Sequence, residues 1–226
     1  MSKWFIFIVG PPRTGTTYLL LLMMEHKLIN NAFGSPYESN LLNSPDMKEN
    51  KKAFLKADGD YIIYKNPNDA RNPERILDNF KNCVLIYLVR NPFDMVTSYF
   101  HTPKGINLSV FYDTDKVINF YNEMAKNILK VSKSKRILFI NSDDLFLKPG
   151  EVIKKIFKII GLKFNNELIQ KTIDKHSKGE NIISSKKKIV YRVGHYSADK
   201  FLLDEQKEEI KKKCWDYYQE LLSKCI

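Results

Sequence analysis

The stretch Trp4–Leu22, WFIFIVGPPRTGTTYLLLL, restricts the fold more than any other part of the chain. It opens with six consecutive apolar residues, Trp4–Val9, the length of a strand buried on both faces. Gly10-Pro11-Pro12-Arg13-Thr14-Gly15-Thr16-Thr17 cannot continue that strand, because its two prolines lack an N–H and its two glycines favour a turn. From Thr16 onward the sequence reads as a helix with Leu19–Met24 as its buried part. Strand, glycine-bearing loop and helix form a cradle for an anion. Backbone N–H groups at the loop and helix N-terminus point at the anion, and the helix dipole favours negative charge there. The alternative is a plain Gly/Pro turn joining a strand to a core helix. The glycines, the cation Arg13 and the hydroxyls all suit the anion site better.

The rest of the chain repeats buried strands and amphipathic helices. Tyr61–Tyr64, Val84–Val89 and Ile137–Ile140 read as strands. Helices are expected within Lys48–Asp60, which ends in a turn at Asp58-Gly59, and from Asn72-Pro73-Glu74 to about Phe80. Others are expected from Pro92 to about Phe100 and over Asp113–Ser132, Pro149–Gly161, Asn165–His176 and Asp204–Ser223. Asn30–Asn43 reads as a polar, turn-rich segment, and Lys178–Val190, with Lys186-Lys187-Lys188, as a basic loop. Continuous apolar strands alternating with helices point to an α/β fold, a mainly parallel sheet covered on both faces. The sequence shows no repeats, low-complexity segments or linker-like composition shifts, so residues 1–226 are read as a single domain.

Lys+Arg 37 against Asp+Glu 26 gives a net charge of +11. Such an excess attracts polyanions, among them nucleic acid, sulfated or phosphorylated glycans, acidic membranes and multiply charged nucleotides. The lysines are scattered over the whole chain, so a general compositional bias explains the bulk of the charge. Cys83, Cys214 and Cys225 are odd in number, widely spaced and without a CxxC motif. They fit reduced thiols in the cytoplasm better than a disulfide framework. His26, His101, His176 and His195 do not cluster like metal ligands. The Trp4–Val9 run is too short to span a membrane, so no transmembrane segment is expected. Cleavage after it as a signal peptide would destroy the loop.

The loop has the frame of the P-loop pattern GxxxxGK[ST]: Gly10, four residues, Gly15, then Thr16-Thr17. The lysine that neutralises β- and γ-phosphates in an ATPase is replaced by Thr16, and a cation sits inside the loop as Arg13. PPRTGTT resembles the 5′-phosphosulfate-binding loop, P-[KR]-[ST]-G-T-[ST], of sulfotransferases that use PAPS, adenosine 3′-phosphate 5′-phosphosulfate. By that resemblance Pro12, Arg13, Thr14, Gly15, Thr16 and Thr17 bind the nucleotide.

A second element follows the Val84–Val89 strand. Arg90-Asn91-Pro92-Phe93-Asp94-Met95-Val96-Thr97-Ser98 puts an arginine at the carboxyl end of a buried strand, where α/β sheets bind ligands. It is similar to the R-[ND]-P-x-[DE]-x-x-x-S element of sulfotransferases, whose arginine and serine hold the nucleotide 3′-phosphate. An arginine fork suits bidentate phosphate binding. A Mg²⁺-dependent P-loop enzyme wants an acid at the end of such a strand, and here Arg90 stands instead. Asp143-Asp144 reads either as a helix or turn cap or as a metal-binding pair; the cap is the reading preferred, and sulfotransferases carry a similar pair outside their catalytic chemistry.

Three weaker elements complete the resemblance. In tyrosylprotein and related bacterial sulfotransferases a glutamate soon after the first helix is the general base, in contexts similar to PYESNLL, which marks Glu38. Steroid and phenol enzymes use a histidine, and none falls between His26 and His101 here. Tyrosylprotein enzymes also carry an arginine where this chain has Leu41. Lys65 in YIIYKNPN resembles the K-x-P element, whose lysine stabilises charge on the leaving phosphate, a role Arg13 would share. Tyr191-Arg192-Val193-Gly194-His195-Tyr196 resembles R-x-G-x-W, with Tyr196 for tryptophan, and implies that Arg192 reaches the 3′-phosphate. Each of these residues also reads as an ordinary surface or loop residue when taken alone.

The resemblance spans the chain and favours the bacterial and tyrosylprotein-like branch. It implies a three-layer α/β/α, P-loop NTPase-like sulfotransferase fold. It also implies metal-free, in-line transfer from PAPS, with PAP as product, to a hydroxyl or amine. The acceptor expected is a carbohydrate or small metabolite, and nucleic acid is not an expected partner. The competing readings are a P-loop kinase or NTPase, which predicts Mg²⁺ dependence, and a non-enzymatic polyanion-binding module.

Overall fold

The computed structural model describes residues 3–32, 47–100, 113–176, 181–184, 187–190 and 201–226. Five parallel strands form its main sheet in the order β2-β3-β1-β4-β5, with β1 (Trp4–Val9) at the centre. The others are β2 (Ile29–Asn31), β3 (Tyr61–Lys65), β4 (Cys83–Val89) and β5 (Ile137–Asn141). β1 pairs with β3 from Trp4↔Tyr61 to Ile8↔Lys65 and with β4 from Phe5↔Cys83 to Val9↔Tyr87. β1 and β4 are apolar without interruption because both faces of the sheet are covered.

Strand periodicity of two divides those residues between two cores. Phe5, Phe7 and Val9 pack with α2 (Met47–Lys56), α3 (Pro73–Asn79), α4 (Pro92–Phe100), α5 (Thr114–Lys130) and α9 (Asp204–Leu222). Ile6 and Ile8 pack on the other face with α1 (Thr16–Met24), α6 (Ser142–Leu147), α7 (Pro149–Ile159) and α8 (Asn166–His176). The result is the expected three-layer α/β/α arrangement. On the first face Phe7, Phe54, Tyr64 and Phe80 form an aromatic cluster, with ring centroids 4.9–6.0 Å apart for Phe7 and its three partners. Truncating one such buried ring to alanine costs about 3–5 kcal/mol.

The chain leaves the neighbouring strands β1 and β4 toward opposite faces, to α1 and to α4. Their carboxyl ends therefore border a crevice, the switch point at which doubly wound sheets take ligands.

Two local expectations are corrected, and one short element is new. Asn30 and Asn31 lie in the edge strand β2, held by a three-residue ladder to β3, rather than in an irregular segment. A short 3-10 turn, Pro67–Arg71, follows β3, and Asn66 starts it by accepting a hydrogen bond from the Asn68 N–H. The basic loop contains an antiparallel hairpin of β6 (Asn181–Ser184) and β7 (Lys187–Val190). Its central pair, Ile182↔Ile189, is β-branched on both strands, and strand propensity there outweighs the charge of the lysine run.

Candidate active site

Backbone geometry shapes the loop after β1. Gly10 has φ +142°, and a Cβ there would lie 2.9 Å from the Leu88 carbonyl oxygen on β4. Gly15 has φ +92° and stands at the N-cap of α1 without a side-chain cap hydrogen bond. Between them Arg13 holds φ 71°, the one positive-φ non-glycine among the described residues. That conformation costs an L-residue roughly 1–2 kcal/mol and persists only when neighbours fix it.

Those neighbours come from three elements. Within the loop, the Thr14 hydroxyl donates to the Pro11 carbonyl at 2.7 Å. From β4, Arg90 Nη1 donates to the Arg13 carbonyl. From α6, the Ser142 hydroxyl donates to the Thr14 carbonyl at 2.7 Å. Thr14 and Thr16 are buried, while Pro12, Arg13, Gly15 and Thr17 are half-buried. The loop thus presents its amides and the Arg13 and Thr17 side chains from a fixed backbone.

Arg90 and Ser98 reach the same place from β4 and α4. Asn91-Pro92 ends the strand and opens the helix, and the Asn91 side chain accepts from the Phe93 N–H at 2.9 Å. One helical stretch later Ser98 Oγ accepts from Arg13 Nε at 3.1 Å. Lys65 arrives from the last register position of β3, beside Ile8, and its Nζ donates to Thr17 Oγ1 at 3.1 Å. Asn66, fully buried, fixes the chain beyond it with an N–H bond to the Ile8 carbonyl at 3.2 Å. Lys65 and Arg90 are each only 4% exposed, so solvent screens their charges little.

Arg13, Thr17, Lys65, Arg90 and Ser98 are therefore brought together by these hydrogen bonds at the carboxyl edge of the sheet. Asp143 and Asp144 lie in the first turn of α6, where Asn141 caps the helix by accepting from the Asp143 N–H at 3.0 Å. The cap is therefore Asn141 rather than either aspartate, and the acidic pair stands inside the first turn, where the helix dipole favours negative charge. Glu38, His101, Lys186 and Arg192 lie outside the described residues.

Sequence reasoning misses two contributors, Ser142 and Phe146. The Phe146 ring lies against Gly15, where a Cβ would be 2.8 Å from its Cζ, and it stacks on Tyr18 with centroids 5.8 Å apart. The Arg90 guanidinium carbon lies over it, 5.6 Å from the ring centre. The available signal was the triplet Leu145-Phe146-Leu147 directly after the acidic pair, an apolar run too dense for a turn.

The sequence matches the family model described as Sulfotransferase domain over residues 5–216. It is 23% identical over 196 residues to Sulfotransferase 1E1 of Bos taurus, covering 76% of this chain and 63% of that protein. It is 24% identical over 189 residues to Sulfotransferase 1B1 of Canis lupus familiaris, covering 74% of this chain and 62% of that protein. The matched region thus spans less than two thirds of the length of these relatives. Among solved structures, mouse sulfotransferase SULT7A1 complexed with PAP is similar with a TM-score of 0.71 at 16% identity, covering 99% of this chain and 90% of that one. The sulfotransferase domain from the curacin biosynthetic pathway gives 0.64 at 18% identity, covering 94% and 98%. At such identities the structural likeness establishes the fold.

Proposed function

The chain belongs to the sulfotransferase domain family, and from that premise we propose that it transfers the sulfuryl group of PAPS to a hydroxyl or amine, releasing PAP. The observation that carries this reading is the hydrogen-bonded set Lys65–Thr17, Arg13–Ser98 and Arg90–Arg13 at the carboxyl ends of β1, β3 and β4. It supplies three cations and a helix N-terminus to a ligand with negative charge at two separate positions. The PAP in the SULT7A1 complex supports that choice of nucleotide.

In this reading the Gly10–Thr17 loop takes the 5′-phosphosulfate, and Arg90 and Ser98, joined by Arg192, take the 3′-phosphate. The acceptor oxygen or nitrogen attacks sulfur in line. The bond from sulfur to the 5′-phosphate oxygen breaks, and PAP departs with that electron pair. Lys65, helped by Arg13, stabilises the charge growing on the departing oxygen. Glu38 takes the acceptor proton, which matters because a protonated hydroxyl is a poor nucleophile. A transferring sulfuryl carries less negative charge than a phosphoryl, so these cations and backbone amides suffice without Mg²⁺.

We read the acceptor as a small hydroxylated metabolite or carbohydrate, residues 1–226 as one domain, and the compartment as cytoplasmic. The last rests on cysteine usage, and the three cysteines are free thiols. Among the described residues no helix is long and apolar enough to cross a membrane.

Transfer from radiolabelled PAPS to a panel of hydroxylated acceptors tests the reaction. Activity should persist in EDTA, and Glu38→Gln should lower kcat by ~10²–10⁴-fold while PAP affinity stays near wild type. Transfer that stops on chelation and returns with Mg²⁺ would overturn the metal-free reading. A Glu38→Gln protein that turns over at the wild-type rate would remove Glu38 as the base.

A further inference from the structure

Three features bear on the placement of Arg90, one of them an aromatic ring. β4 fixes its backbone, and the Arg13 carbonyl accepts from Nη1. The third is the Phe146 ring, with the guanidinium carbon 5.6 Å from its centre, inside the range of a cation–π contact. The N–H groups of a guanidinium lie in its plane. A ring attracting the cation through its π face therefore adds to its placement without itself taking an in-plane donor.

Phe146 is itself fixed. It stacks on Tyr18 at an interplanar angle of 24°, and it fills the space that any side chain at Gly15 would need. One ring thus touches both halves of the anion site, the N-cap of α1 and the arginine at the end of β4.

We infer that Phe146 is a positioning residue for the nucleotide 3′-phosphate, acting through Arg90: its π face holds the guanidinium so that the in-plane donors meet that phosphate. This rests on the PAPS reading of the site. It also accounts for an aromatic residue in α6 whose next neighbour, Leu147, is left largely in solvent at 67% exposure.

The test uses the full chain and two ligands, adenosine 3′,5′-bisphosphate and adenosine 5′-monophosphate, which lacks the 3′-phosphate. Phe146→Met keeps apolar bulk and removes the π face, and should weaken the bisphosphate by about 3- to 30-fold while the monophosphate changes by less than about 2-fold. If that variant fails to fold, 3,5-difluorophenylalanine in place of Phe146 preserves shape and stacking but weakens the ring's negative face. It should still cost roughly 2- to 5-fold for the bisphosphate alone. Unchanged bisphosphate affinity with the fluorinated ring, or equal losses for both ligands, would overturn the inference and leave Phe146 as packing. Arg90→Ala separates this from failure of the nucleotide reading. If wild type does not prefer the bisphosphate, or Arg90→Ala keeps the preference, the assignment of Arg90 has failed and the inference falls with it. A preference lost in Arg90→Ala and intact with the fluorinated ring sinks the inference alone.

Discussion

The two loops that border the crevice differ in what they can offer an anion. The one after β1 works through its backbone. It needs glycine at two positions, tolerates a strained arginine between them, and starts its helix at a glycine N-cap that makes no side-chain cap hydrogen bond. The one after β4 works through side chains. Its backbone is an ordinary Asn-Pro helix start, and its contribution is the charge of Arg90 with the hydroxyl of Ser98. A backbone cradle fixes the position of a phosphate but responds to any added atom. A side-chain clamp can be weakened in steps and adds the specificity of a second charge.

The sharpest way to break that contrast is to add one carbon to the cradle. Gly15→Ala sets a Cβ 2.8 Å from Phe146 Cζ at φ +92°, and Gly10→Ala sets one 2.9 Å from the Leu88 carbonyl oxygen at φ +142°. Left-handed strain of about 1–2 kcal/mol and overpacking of about 1–3 kcal/mol add together in each. Both variants should lose most binding of adenosine 3′,5′-bisphosphate and melt earlier in a thermal scan. Wild-type affinity in Gly15→Ala would show that the loop does not act through its backbone.

The clamp should respond more mildly and more selectively. Arg90→Ala should weaken adenosine 3′,5′-bisphosphate by roughly 1.5–3 kcal/mol, the scale of a charged hydrogen bond. Removing the ligand's 3′-phosphate should then cost wild type much and the variant little, as read by calorimetry. Equal costs would show that Arg90 does not read that phosphate. Ser98→Ala removes a neutral partner and should cost about 0.5–1.5 kcal/mol with the same ligand dependence. A larger loss than that of Arg90→Ala would reverse the assigned roles.

The same contrast explains what the sequence discloses. The cradle is legible because its constraints are local: an apolar run, two glycines with four residues between them, and hydroxyls at a helix start. β1 and β4 are legible because burial on both faces removes polar residues from them altogether. Lys65 and Arg90 are legible by position, each the residue at or just past a strand's carboxyl end. Phe146 is not, because its neighbours Gly15, Tyr18 and Arg90 are far away in sequence, and nothing within Leu145-Phe146-Leu147 says which member turns to them. β2 is hidden by its composition, since an edge strand of Ile29-Asn30-Asn31 has little need to be apolar. The pairing of β6 with β7 is hidden because three consecutive lysines look like a solvated loop, while its strand signal rests on a few isoleucines.

The claim that joins both loops is that the crevice between β1 and β4 reads a nucleotide carrying charge at its 3′ and 5′ positions, with Arg90 where a metal-binding acid would otherwise stand. Titration calorimetry of the wild-type chain with adenosine 3′,5′-bisphosphate and with ATP, each with and without Mg²⁺, tests it most directly. The bisphosphate should bind tightly and independently of Mg²⁺, with ATP much weaker under both conditions. ATP binding more tightly than the bisphosphate, and only when Mg²⁺ is present, would contradict it and identify the crevice as the site of a P-loop kinase or NTPase.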